Sequence, residues 1–394
     1  MHMQPDFDYV TWLNETKYVC NDIYADVVKA FLADLSKAIL TDTACRVYPD
    51  LMTFGYFCRK ANITQLQQVR GVNEMRFGWG QLLHIPPANI PMNLGFSWVF
   101  GLLAGNANLV RMPSRSWPQV ELLIAKIQAQ LEMPAYVVLK PMSQFFHTSR
   151  NSDCLQALVA KVDGLVVWGG DQTVSYFRQL AKKPDCVTLY FPNRVSSAVM
   201  DANHYLAQDI KVQMTLAQQF YNDTYWVDQN ACSSPGIIHW VGSPVAIAKA
   251  KAIFWAKLAA FLQDKDYQLD PTTRITRTLD LMQDLATLQQ PIGLKQYGDD
   301  VLVGDTLVTD SQLRFGRFIE LEHPDLSAAF EALRRNEQTL TYFGFNREAF
   351  MAVIQTSRQK RIDRIVPFGQ ALNISVHWDG VDIIGRLSRR VEYA

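Results

Sequence analysis

The sequence predicts an α/β protein built around parallel sheets, and three observations support this. Between about residues 80 and 191, short strand-like runs alternate with helical ones. The strand-like runs are apolar throughout, which is typical of parallel strands covered on both faces. After about residue 196 the same alternation starts again. We therefore expect a doubly wound parallel sheet followed by a second α/β unit.

Each element of the first unit follows from a short apolar run or a helical pattern. The predicted strands are QLLHI, NLVRM, YVVLK, GLVVW and CVTLYF, at residues 81–85, 108–112, 136–140, 164–168 and 186–191. The helical patterns between them cover about residues 93–105, 116–132, 152–162 and 173–183. Open parallel sheets bind ligands beyond the carboxyl ends of their strands. We therefore expect a binding region at the loops PPAN, MPSRS and WGGD.

The second unit begins with the short strand SSAVM. Ile210, Met214, Ala217 and Tyr221 recur at the spacing of one helix face, and this helix leads toward Cys232. A strand is expected at GIIHWVG, and the Ser-Pro dipeptide after it is typical of a helix N-terminus. The remaining predicted strands are IGLKQYG, VLVGD, FGRFIEL and LTYFGF, with helices at about 324–337 and 346–358.

The composition of the chain limits the classes of function it can have. The chain has 394 residues, 48% of them apolar, so it is long enough for more than one buried core. Lys and Arg total 38, as do Asp and Glu, so no net charge attracts nucleic acid or an anionic membrane. The most apolar run, from Met92, contains polar residues and glycines and is shorter than the roughly 20 residues of a membrane span. We expect no nucleic acid partner and no membrane span.

One cysteine stands out from the other five. The six cysteines form no CxxC pair and no zinc spacing, and no signal-peptide pattern opens the chain, so we expect a cytoplasmic protein with reduced thiols. Cys232 lies between small polar residues in QNACSSPG, whereas inert cysteines usually pack inside apolar runs. A substrate can reach a thiol on such a loop, and a nearby cation or helix dipole would lower its pKa. The alternative is a thiol that is merely exposed.

Four motifs in fixed order carry a family resemblance. PPANIP, LAGNANLVRMPS, DGLVVWGGDQ and QNACSSPG follow one another as the landmark motifs of the aldehyde dehydrogenase superfamily do. More narrowly, the chain resembles the fatty acyl-CoA reductases of bacterial bioluminescence operons (LuxC-like). The C-terminal run that begins DRIVPFGQALNISVHW strengthens this narrower match. The resemblance covers about residues 75–394.

The resemblance implies a domain organisation of the aldehyde dehydrogenase type. A mainly helical N-terminal segment, 1–75, would pack on a nucleotide cofactor-binding domain at 76–195. A catalytic domain carrying the cysteine would follow at 196–355. The C-terminal segment, 356–394, would include a strand for oligomerisation, with NISVHW as the candidate, and would return to the cofactor domain. It also implies a homo-oligomer.

The resemblance implies the reduction of an acyl thioester to an aldehyde. A cysteine nucleophile forms an enzyme thioester, and a nicotinamide cofactor then delivers hydride to its carbonyl carbon. Cys232 matches the nucleophile. Both additions place negative charge on one oxygen, which requires fixed donors. Asn89 matches the family's side-chain donor, and the Cys232 N–H would be the other, although a turn asparagine between prolines is the alternative for Asn89.

The cofactor loops favour NADPH. Arg111 stands where the family has a lysine that contacts the adenosine ribose, and the loop MPSRS contains Arg115 and no carboxylate, so a 2′-phosphate would be accepted. The amides of Gly169 and Gly170 can meet a diphosphate at a helix N-terminus. Asp171 is unfavourable there unless it caps the helix or points away. The predicted cofactor-binding residues are Pro87, Arg111, Ser114, Arg115, Trp168, Gly169, Gly170 and Tyr190.

Two departures from the ordinary aldehyde dehydrogenases bear on the reaction. Where those enzymes have ELGGK, whose glutamate activates a hydrolytic water, this chain has TLYFPNR, with Tyr190 or Phe191 at the glutamate. The enzyme thioester should therefore survive until hydride arrives. The glutamate of the ExFGP motif, a contact to the nicotinamide ribose, is matched by Leu313, so ribose positioning is done otherwise or the alignment has shifted there.

Several alternatives stay open. The first rival function is an NAD(P)-dependent aldehyde dehydrogenase, and the second is a non-reducing component that accepts acyl groups within a complex. An acyl-activating protein partner is implied by the resemblance alone. His84 is either a proton donor to the leaving thiol or a hydrogen-bonded core histidine, and the remaining histidines show no metal-ligand spacing, so no metal is predicted.

Overall fold

The computed structural model describes residues 8–69, 75–288, 293–306, 313–358 and 362–392. Its contacts divide the chain into two compact units. The first consists of Met1–Asn193 with Ile374–Ala394, and the second of Arg194–Asn373. Residues 356–373, which the sequence analysis assigned to a C-terminal segment, thus lie in the second unit. The roles assigned to the domains remain predictions.

The N-terminal part of the first unit is helical, as predicted. Helix α2 shows why, because Val28, Phe31, Leu35 and Ile39 recur every three or four residues and are all buried. The helices are α1 (Tyr9–Glu15), α2 (Asp26–Thr41), α3 (Thr43–Arg46), α4 (Pro49–Phe57) and α5 (Lys60–Val69).

A parallel sheet forms the centre of the first unit. The elements are β1 (Arg76–Gly78), β2 (Gln81–Ile85), α6 (Asn93–Leu103), β3 (Ala107–Arg111), α7 (Pro118–Leu131), β4 (Ser143–Phe146), α8 (Asp153–Lys161), β5 (Gly164–Trp168), α9 (Asp171–Gln179) and β6 (Val187–Phe191). Among the described residues, five of these strands form one parallel sheet in the order β4-β3-β2-β5-β6. The predicted doubly wound topology is confirmed.

One predicted strand of this sheet is wrong. YVVLK forms a turn with a short 3-10 segment at Val137–Leu139, and the edge strand is β4, a few residues later. Val137 and Val138 are 52% and 60% exposed, so their high strand propensity is not used. Tyr136 instead packs its ring against Phe31, with centroids 5.3 Å apart. Packing on helix α2 therefore overrides the local preference.

The second unit is built on a larger sheet. Its elements are β7 (Val195–Asp201), α10 (Ala202–Leu206), α11 (Ile210–Asp223), β8 (Pro235–Val241), α12 (Pro244–Asp264), α13 (Pro271–Thr287), β9 (Leu294–Tyr297), β10 (Val301–Gly304), β11 (Arg317–His323), α14 (Leu326–Glu331), β12 (Glu337–Phe343), α15 (Arg347–Thr356) and β13 (Arg364–Pro367). In the described part of this unit, seven strands pair in the order β13-β12-β7-β8-β11-β10-β9. Only the β9–β10 pair is antiparallel among them.

Alternate residues of the central strands face two separate cores. Met200 of β7 and Trp240 of β8 belong to a cluster that includes residues of α11 and α12. Val199 of β7 and Val241 of β8 belong to a second cluster with residues of α14 and α15. Helices on both faces explain why these strands are apolar throughout.

For the second unit, the predicted strands are present, but some elements and one helix face were not predicted correctly. Strands β7 to β12 lie within or next to the predicted runs, whereas α13 and β13 were not predicted. The predicted face of α11 is correct in part, since Ala217 is fully buried and Met214 and Tyr221 are half-buried, whereas Ile210 is 73% exposed. The buried face contains Gln213 and Asp223, polar side chains that hydrogen-bond to backbone and that hydrophobic periodicity does not detect.

The C-terminal residues from 374 belong to the first unit. Their elements are β14 (His377–Trp378), β15 (Val381–Asp382), α16 (Ile383–Arg386) and β16 (Ser388–Arg390). Strand β16 pairs antiparallel with β1, and β14 pairs with β15. Only two residues of NISVHW are in a strand, and an oligomerisation role for this segment remains a prediction. Within the described ranges, no helix has the length and apolar character that crossing a membrane requires.

Candidate functional site

Cys232 lies on the loop between α11 and β8, at the amino end of the strands of the second sheet. Asp228 and Gln229, just before it, have φ angles of 49° and 56°. Such left-handed conformations are uncommon for residues other than glycine and often mark functional loops. The Tyr267 hydroxyl donates to Asp228 Oδ1 at 2.7 Å and helps to hold this conformation.

Gln229 fixes both ends of the cysteine loop. Its side chain is buried, and Nε2 donates to the carbonyls of Pro235 and Arg317, each at 3.1 Å. Its Oε1 accepts the N–H of Gly316 at 2.9 Å. One amide thus joins the loop to the starts of β8 and β11. The chain resists rearrangement here because a buried polar group that loses its partners is costly.

The thiol itself is partly accessible. Cys232 is half-buried, whereas Ser233 and Ser234 are buried. Its carbonyl accepts a hydrogen bond of 2.7 Å from Ser196 Oγ of β7, and Ser196 Oγ accepts the N–H of Thr339 of β12 at 3.2 Å. The backbone at Cys232 is therefore anchored to two central strands.

A charged group lies at the same edge of the sheet. The guanidinium of Arg364, the first residue of β13, donates to the carbonyls of Gln370 at 2.8 Å, Ala371 at 2.7 Å and Asn373 at 2.9 Å. Burial lowers the pKa of Arg364, while Asp223 and Cys232 act in the opposite direction. Cys232 thus lies within electrostatic range of a cation.

Asp223 completes this arrangement from the last turn of α11. Its Oδ2 accepts the N–H of Gly369 at 2.7 Å, and its Oδ1 accepts the N–H of Ala371 at 2.8 Å. The carboxyl is fully buried, and burial raises its pKa to about 7. Asp223 and Arg364 hold the same loop from its N–H and carbonyl sides. The sequence analysis named neither residue, although Arg364 lies in the quoted DRIVPFGQ run.

In the first unit, the loops after β2 and β3 come together. Trp117 Nε1 donates to the carbonyl of Ala88 at 3.1 Å, next to the exposed Asn89. The guanidinium of Arg115 stacks on the Trp117 ring, 3.9 Å from its centre. Two of the predicted binding loops, PPAN and MPSRS, are therefore neighbours, with the side chains of Asn89, Ser114 and Arg115 exposed and that of Pro87 half-buried.

Two arginines approach each other beside the start of α9. Arg111 Nε donates to the carbonyl of Thr148 at 3.0 Å, and Arg150 donates to the carbonyl of Gln172 in α9 at 3.2 Å. Burial, and to a smaller extent the charge of Arg150, lowers the pKa of Arg111. An anion beside these like charges would relieve their repulsion. The sequence analysis missed Arg150, because no motif covers it.

The glycines after β5 leave room at the same helix start. A β-carbon on Gly169 would lie 3.2 Å from Thr173, and Gly170 is the N-cap of α9. Asp171 is the first helical residue and Gly170 is the N-cap, so of the two alternatives for Asp171 the capping role is wrong. Its Oδ1 accepts the N–H of Asn193 at 3.1 Å. The carboxylate is therefore engaged by the loop that follows β6.

The two residues that the sequence analysis aligned with the ELGGK glutamate, Tyr190 and Phe191, are aromatic. The Phe191 ring stacks on that of Trp168, with centroids 3.7 Å apart and planes at 13°. Tyr190 is half-buried, its pKa is raised by burial, and the guanidinium of Arg178 lies 5.0 Å from its ring centre. Neither side chain can act as a carboxylate base toward water.

The sequence profile of one known family, described as acyl-CoA reductase (LuxC), matches residues 65–390. The chain belongs to this LuxC family. The resemblance inferred from the motifs is therefore confirmed. No curated protein matches the chain by sequence.

Solved structures place this LuxC-family chain in the aldehyde dehydrogenase fold. The methylmalonate-semialdehyde dehydrogenase DddC from Oceanimonas doudoroffii is similar with a TM-score of 0.65 and 11% identity, over 98% of this chain and 87% of DddC. Proline utilization A (PutA) from Corynebacterium freiburgense has a TM-score of 0.67 and 13% identity, over 99% of this chain and 45% of PutA. The chain thus spans less than half the length of that PutA. Identities this low show the fold alone.

His84 of the LuxC-family chain has a structural role. Its side chain is fully buried, Nδ1 lies 2.7 Å from Ser97 Oγ, and Nε2 lies 2.9 Å from Asn108 Oδ1. Since Asn108 Nδ2 donates to the Asn106 carbonyl, Oδ1 is the acceptor, so Nε2 carries the proton. Burial lowers the His84 pKa to about 4. The core alternative is therefore correct, and the proton-donor alternative is wrong.

This core network ends at a predicted cofactor residue. Trp168 Nε1 donates to Ser97 Oγ at 3.0 Å, so the Ser97 hydroxyl donates to His84. Asn108 can approach α6 because residue 101 is glycine. A β-carbon on Gly101 would lie 1.8 Å from Asn108 Oδ1. The network of Trp168, Ser97, His84 and Asn108 thus fixes the indole at the end of β5.

The remaining sequence-predicted positions have apolar or paired environments. A β-carbon on Gly236 would lie 2.7 Å from Leu313 Cβ, so Leu313 packs closely against the start of β8. His239 Nδ1 and His323 Nε2 are 2.9 Å apart, a pairing that the sequence analysis did not detect. Among the residues that the structure describes, no group of three or more His, Cys, Asp or Glu is arranged to hold a metal ion.

Proposed function

We propose that the protein reduces an acyl thioester to an aldehyde through an S-acyl intermediate on Cys232. The observation that carries this proposal is a partly accessible thiol on a strained, hydrogen-bonded loop, within electrostatic range of Arg364. Membership of a family described as acyl-CoA reductases supports the same chemistry. Lowered thiol pKa values are typical of cysteine nucleophiles beside cations.

The first half-reaction uses the chain's own residues. The Cys232 thiolate attacks the acyl carbonyl carbon, a new carbon–sulfur bond forms, and the carbon–sulfur bond to the donor breaks. The donor leaves as a thiolate and takes up a proton. Negative charge develops on the carbonyl oxygen, and we assign its stabilisation to the backbone N–H of Cys232 and the Asn89 amide. The exposure of Asn89 on its loop supports this assignment.

A nicotinamide cofactor, when bound, would supply hydride to the acyl carbon. The Cys232–carbon bond then breaks as the carbonyl re-forms, which releases an aldehyde and regenerates the thiolate. Overall, one thioester, one reduced nicotinamide and one proton give an aldehyde, a thiol and the oxidised nicotinamide. The residues we assign to the cofactor are Pro87, Arg111, Ser114, Arg115, Trp168, Gly169, Gly170 and Tyr190.

The cofactor we propose is NADPH. Arg111 and Arg150 carry like charges close to the first turn of α9, where a phosphate would be stabilised. Arg115 is exposed on the loop that follows Arg111, and this loop, MPSRS, has no carboxylate that would repel a 2′-phosphate. These features fit a phosphorylated dinucleotide.

A second candidate is the oxidation of aldehydes, because the fold is that of aldehyde dehydrogenases. The aromatic stack at Trp168 and Phe191 favours reduction instead. A site without a base for hydrolytic water should keep its thioester until hydride arrives. The acyl-activating partner and the homo-oligomer remain predictions, which we carry as part of this proposal.

Intact-mass analysis with a set of acyl-CoAs tests the function. We expect one acyl group per chain without NADPH, and loss of that group with release of aldehyde when NADPH is added. Cys232→Ala should give no adduct, whereas Cys186→Ala, which removes another half-buried thiol, should behave as wild type. An adduct that persists with NADPH would indicate an acyl-accepting component, and absence of any adduct would contradict the mechanism.

A further inference from the structure

The half-buried side chain of Arg364 is held in place by hydrogen bonds. Its guanidinium donates to three carbonyls of the loop 370–373, and those contacts fix the plane of the group. Asp223 holds the same loop through two N–H groups. The cation therefore has a defined position at the amino edge of the sheet.

A separate set of contacts places Cys232 at that edge. Ser196 joins the Cys232 carbonyl to the N–H of Thr339, and Thr339 is the residue of β12 that pairs with Arg364 of β13. The thiol-bearing residue and the arginine are thus connected through one hydrogen-bonded residue and one strand pairing. This connection does not depend on any electrostatic argument.

Other charges at this edge have partners of their own. Arg194 forms an ion pair with Asp363, and Glu337 accepts from Ser197 and lies 3.8 Å from Arg334 Nε. Asp223 and Cys232 are among the charges that act on Arg364. Asp223 is buried, and burial disfavours its ionised form. Because its pKa is about 7, Asp223 is only partly ionised near neutral pH, so it offsets only part of the Arg364 charge that acts on the thiol.

We propose that Arg364 is a positioning residue that stabilises the thiolate form of Cys232, and that Asp223 and the loop 369–373 hold Arg364 in place. The inference rests on the proposed function, since it explains how the nucleophile of that reaction is activated. A nearby cation favours the thiolate over the neutral thiol and so lowers the pKa of a cysteine. The role of residues 369–373 is then to fix the position of the Arg364 charge.

The pH dependence of Cys232 alkylation tests this without requiring catalysis. The rate of carbamidomethylation by iodoacetamide would be measured from pH 5 to 9.5, by mass spectrometry of the peptide that contains Cys232. The wild-type midpoint should lie at least about one unit below the usual thiol value of about 8.5. Arg364→Gln should raise it by about one unit. With midpoints of about 7.5 and 8.5, the thiolate fraction at pH 7 falls about eightfold, and the rate should fall about threefold because the less acidic thiolate is more nucleophilic.

Asp223→Asn separates an electrostatic role from a structural one. Asparagine keeps one of the two acceptors for the N–H groups of Gly369 and Ala371 and removes the negative charge, which should move the midpoint down, opposite to Arg364→Gln. Loosening of the loop would instead move both variants in the same direction. Arg364→Lys keeps the positive charge, so its Cys232 alkylation midpoint should stay close to the lowered wild-type value. Arg347→Gln removes an exposed arginine from the opposite edge of the sheet and should leave the midpoint unchanged.

Each outcome decides the inference. A wild-type midpoint near 8.5, or shifts of the same sign in Arg364→Gln and Asp223→Asn, would overturn it. If Arg364→Gln does not fold, the wild-type midpoint and the direction in which Asp223→Asn shifts it still decide whether the inference holds. Acyl-enzyme formation with an unshifted thiol would leave the proposed function standing without this inference. A low alkylation midpoint that rises in Arg364→Gln, in a protein that forms no acyl-enzyme, would support this inference and contradict the proposed function.

Discussion

The two units bury their polar groups in different ways. In the first unit, Trp168, Ser97, His84 and Asn108 form a neutral network in which each named group has a partner. In the second, Asp223 and Arg364 bring ionisable groups to the edge where Cys232 lies. A neutral, satisfied network favours a single rigid arrangement. A charge held near a thiol changes the reactivity of that thiol. The difference separates a scaffold from the site at which we propose the reaction.

The largest expected effect is the loss of the thiol. Cys232→Ala should abolish acyl-enzyme formation and aldehyde production, because it removes the thiol to which we assign the thioester. Cys232→Ser should do nearly the same, since a hydroxyl has a far higher pKa than a thiol. Aldehyde release would be followed in single-turnover assays with acyl-CoA and NADPH. Normal aldehyde production by Cys232→Ala would show that the reactive centre lies elsewhere.

The next effect concerns a loop of the first unit. Asn89→Ala should lower the catalytic rate by about 10²-fold, the usual scale for one lost oxyanion donor. Cofactor binding should change little, and the Cys232 alkylation midpoint should stay at the wild-type value. Titration of NADPH binding and steady-state rates would be measured on the same preparation. An unchanged rate would mean that Asn89 is a turn residue and not an oxyanion donor. The proposed oxyanion donors would then come from the second unit alone.

The same comparison shows where sequence reasoning succeeds. Strands such as β2 and β5 are buried along their whole length, so their apolar runs predict them directly. Cys232 was found because its small polar neighbours in QNACSSPG are unlike those of a packed thiol. Signals of this kind are local, and they identified the sheet of the first unit, except for its edge strand, and the candidate nucleophile.

Sequence reasoning fails where a contact joins distant segments. YVVLK has the composition of a strand, but Tyr136 packs on Phe31, which is over a hundred residues away in sequence. Asp223 and Arg364 are likewise far apart, and an aspartate on a helix gives no local sign that it caps a distant loop. The partner of His84, Asn108, follows it by 24 residues. Polar residues that pair across distant segments follow no periodic pattern in the sequence, so a search for periodicity does not find them.

A smaller effect is expected at the cofactor loops. Arg115→Glu should weaken NADPH binding by about 1–3 kcal/mol, the typical contribution of a hydrogen bond to a charged group. NADH should be affected little, because it presents only a hydroxyl at that position. Comparing the two cofactors cancels any damage from losing the stack of Arg115 on Trp117. Equal losses for both cofactors, or a wild-type preference for NADH, would remove the NADPH assignment.

The smallest effect tests the neutral network of the first unit. Burial lowers the pKa of His84 to about 4 from a usual value of 6.5, so the unfolded chain binds the extra proton first as the pH falls. The contribution of this residue to stability is therefore present above pH 6.5 and is lost toward pH 4.

The loss between pH 7 and 5.5 should be about 1 kcal/mol for this residue. His84→Gln can still accept from Ser97 and donate to Asn108, but it does not titrate. The free energy of unfolding, measured in urea at each pH, should therefore fall about 1 kcal/mol less in this variant than in wild type. His239, whose pKa burial lowers to about 3, contributes equally to both proteins and cancels in the difference. Parallel pH profiles would mean that His84 is not held neutral, and the contrast between a neutral and a charged network would then be lost.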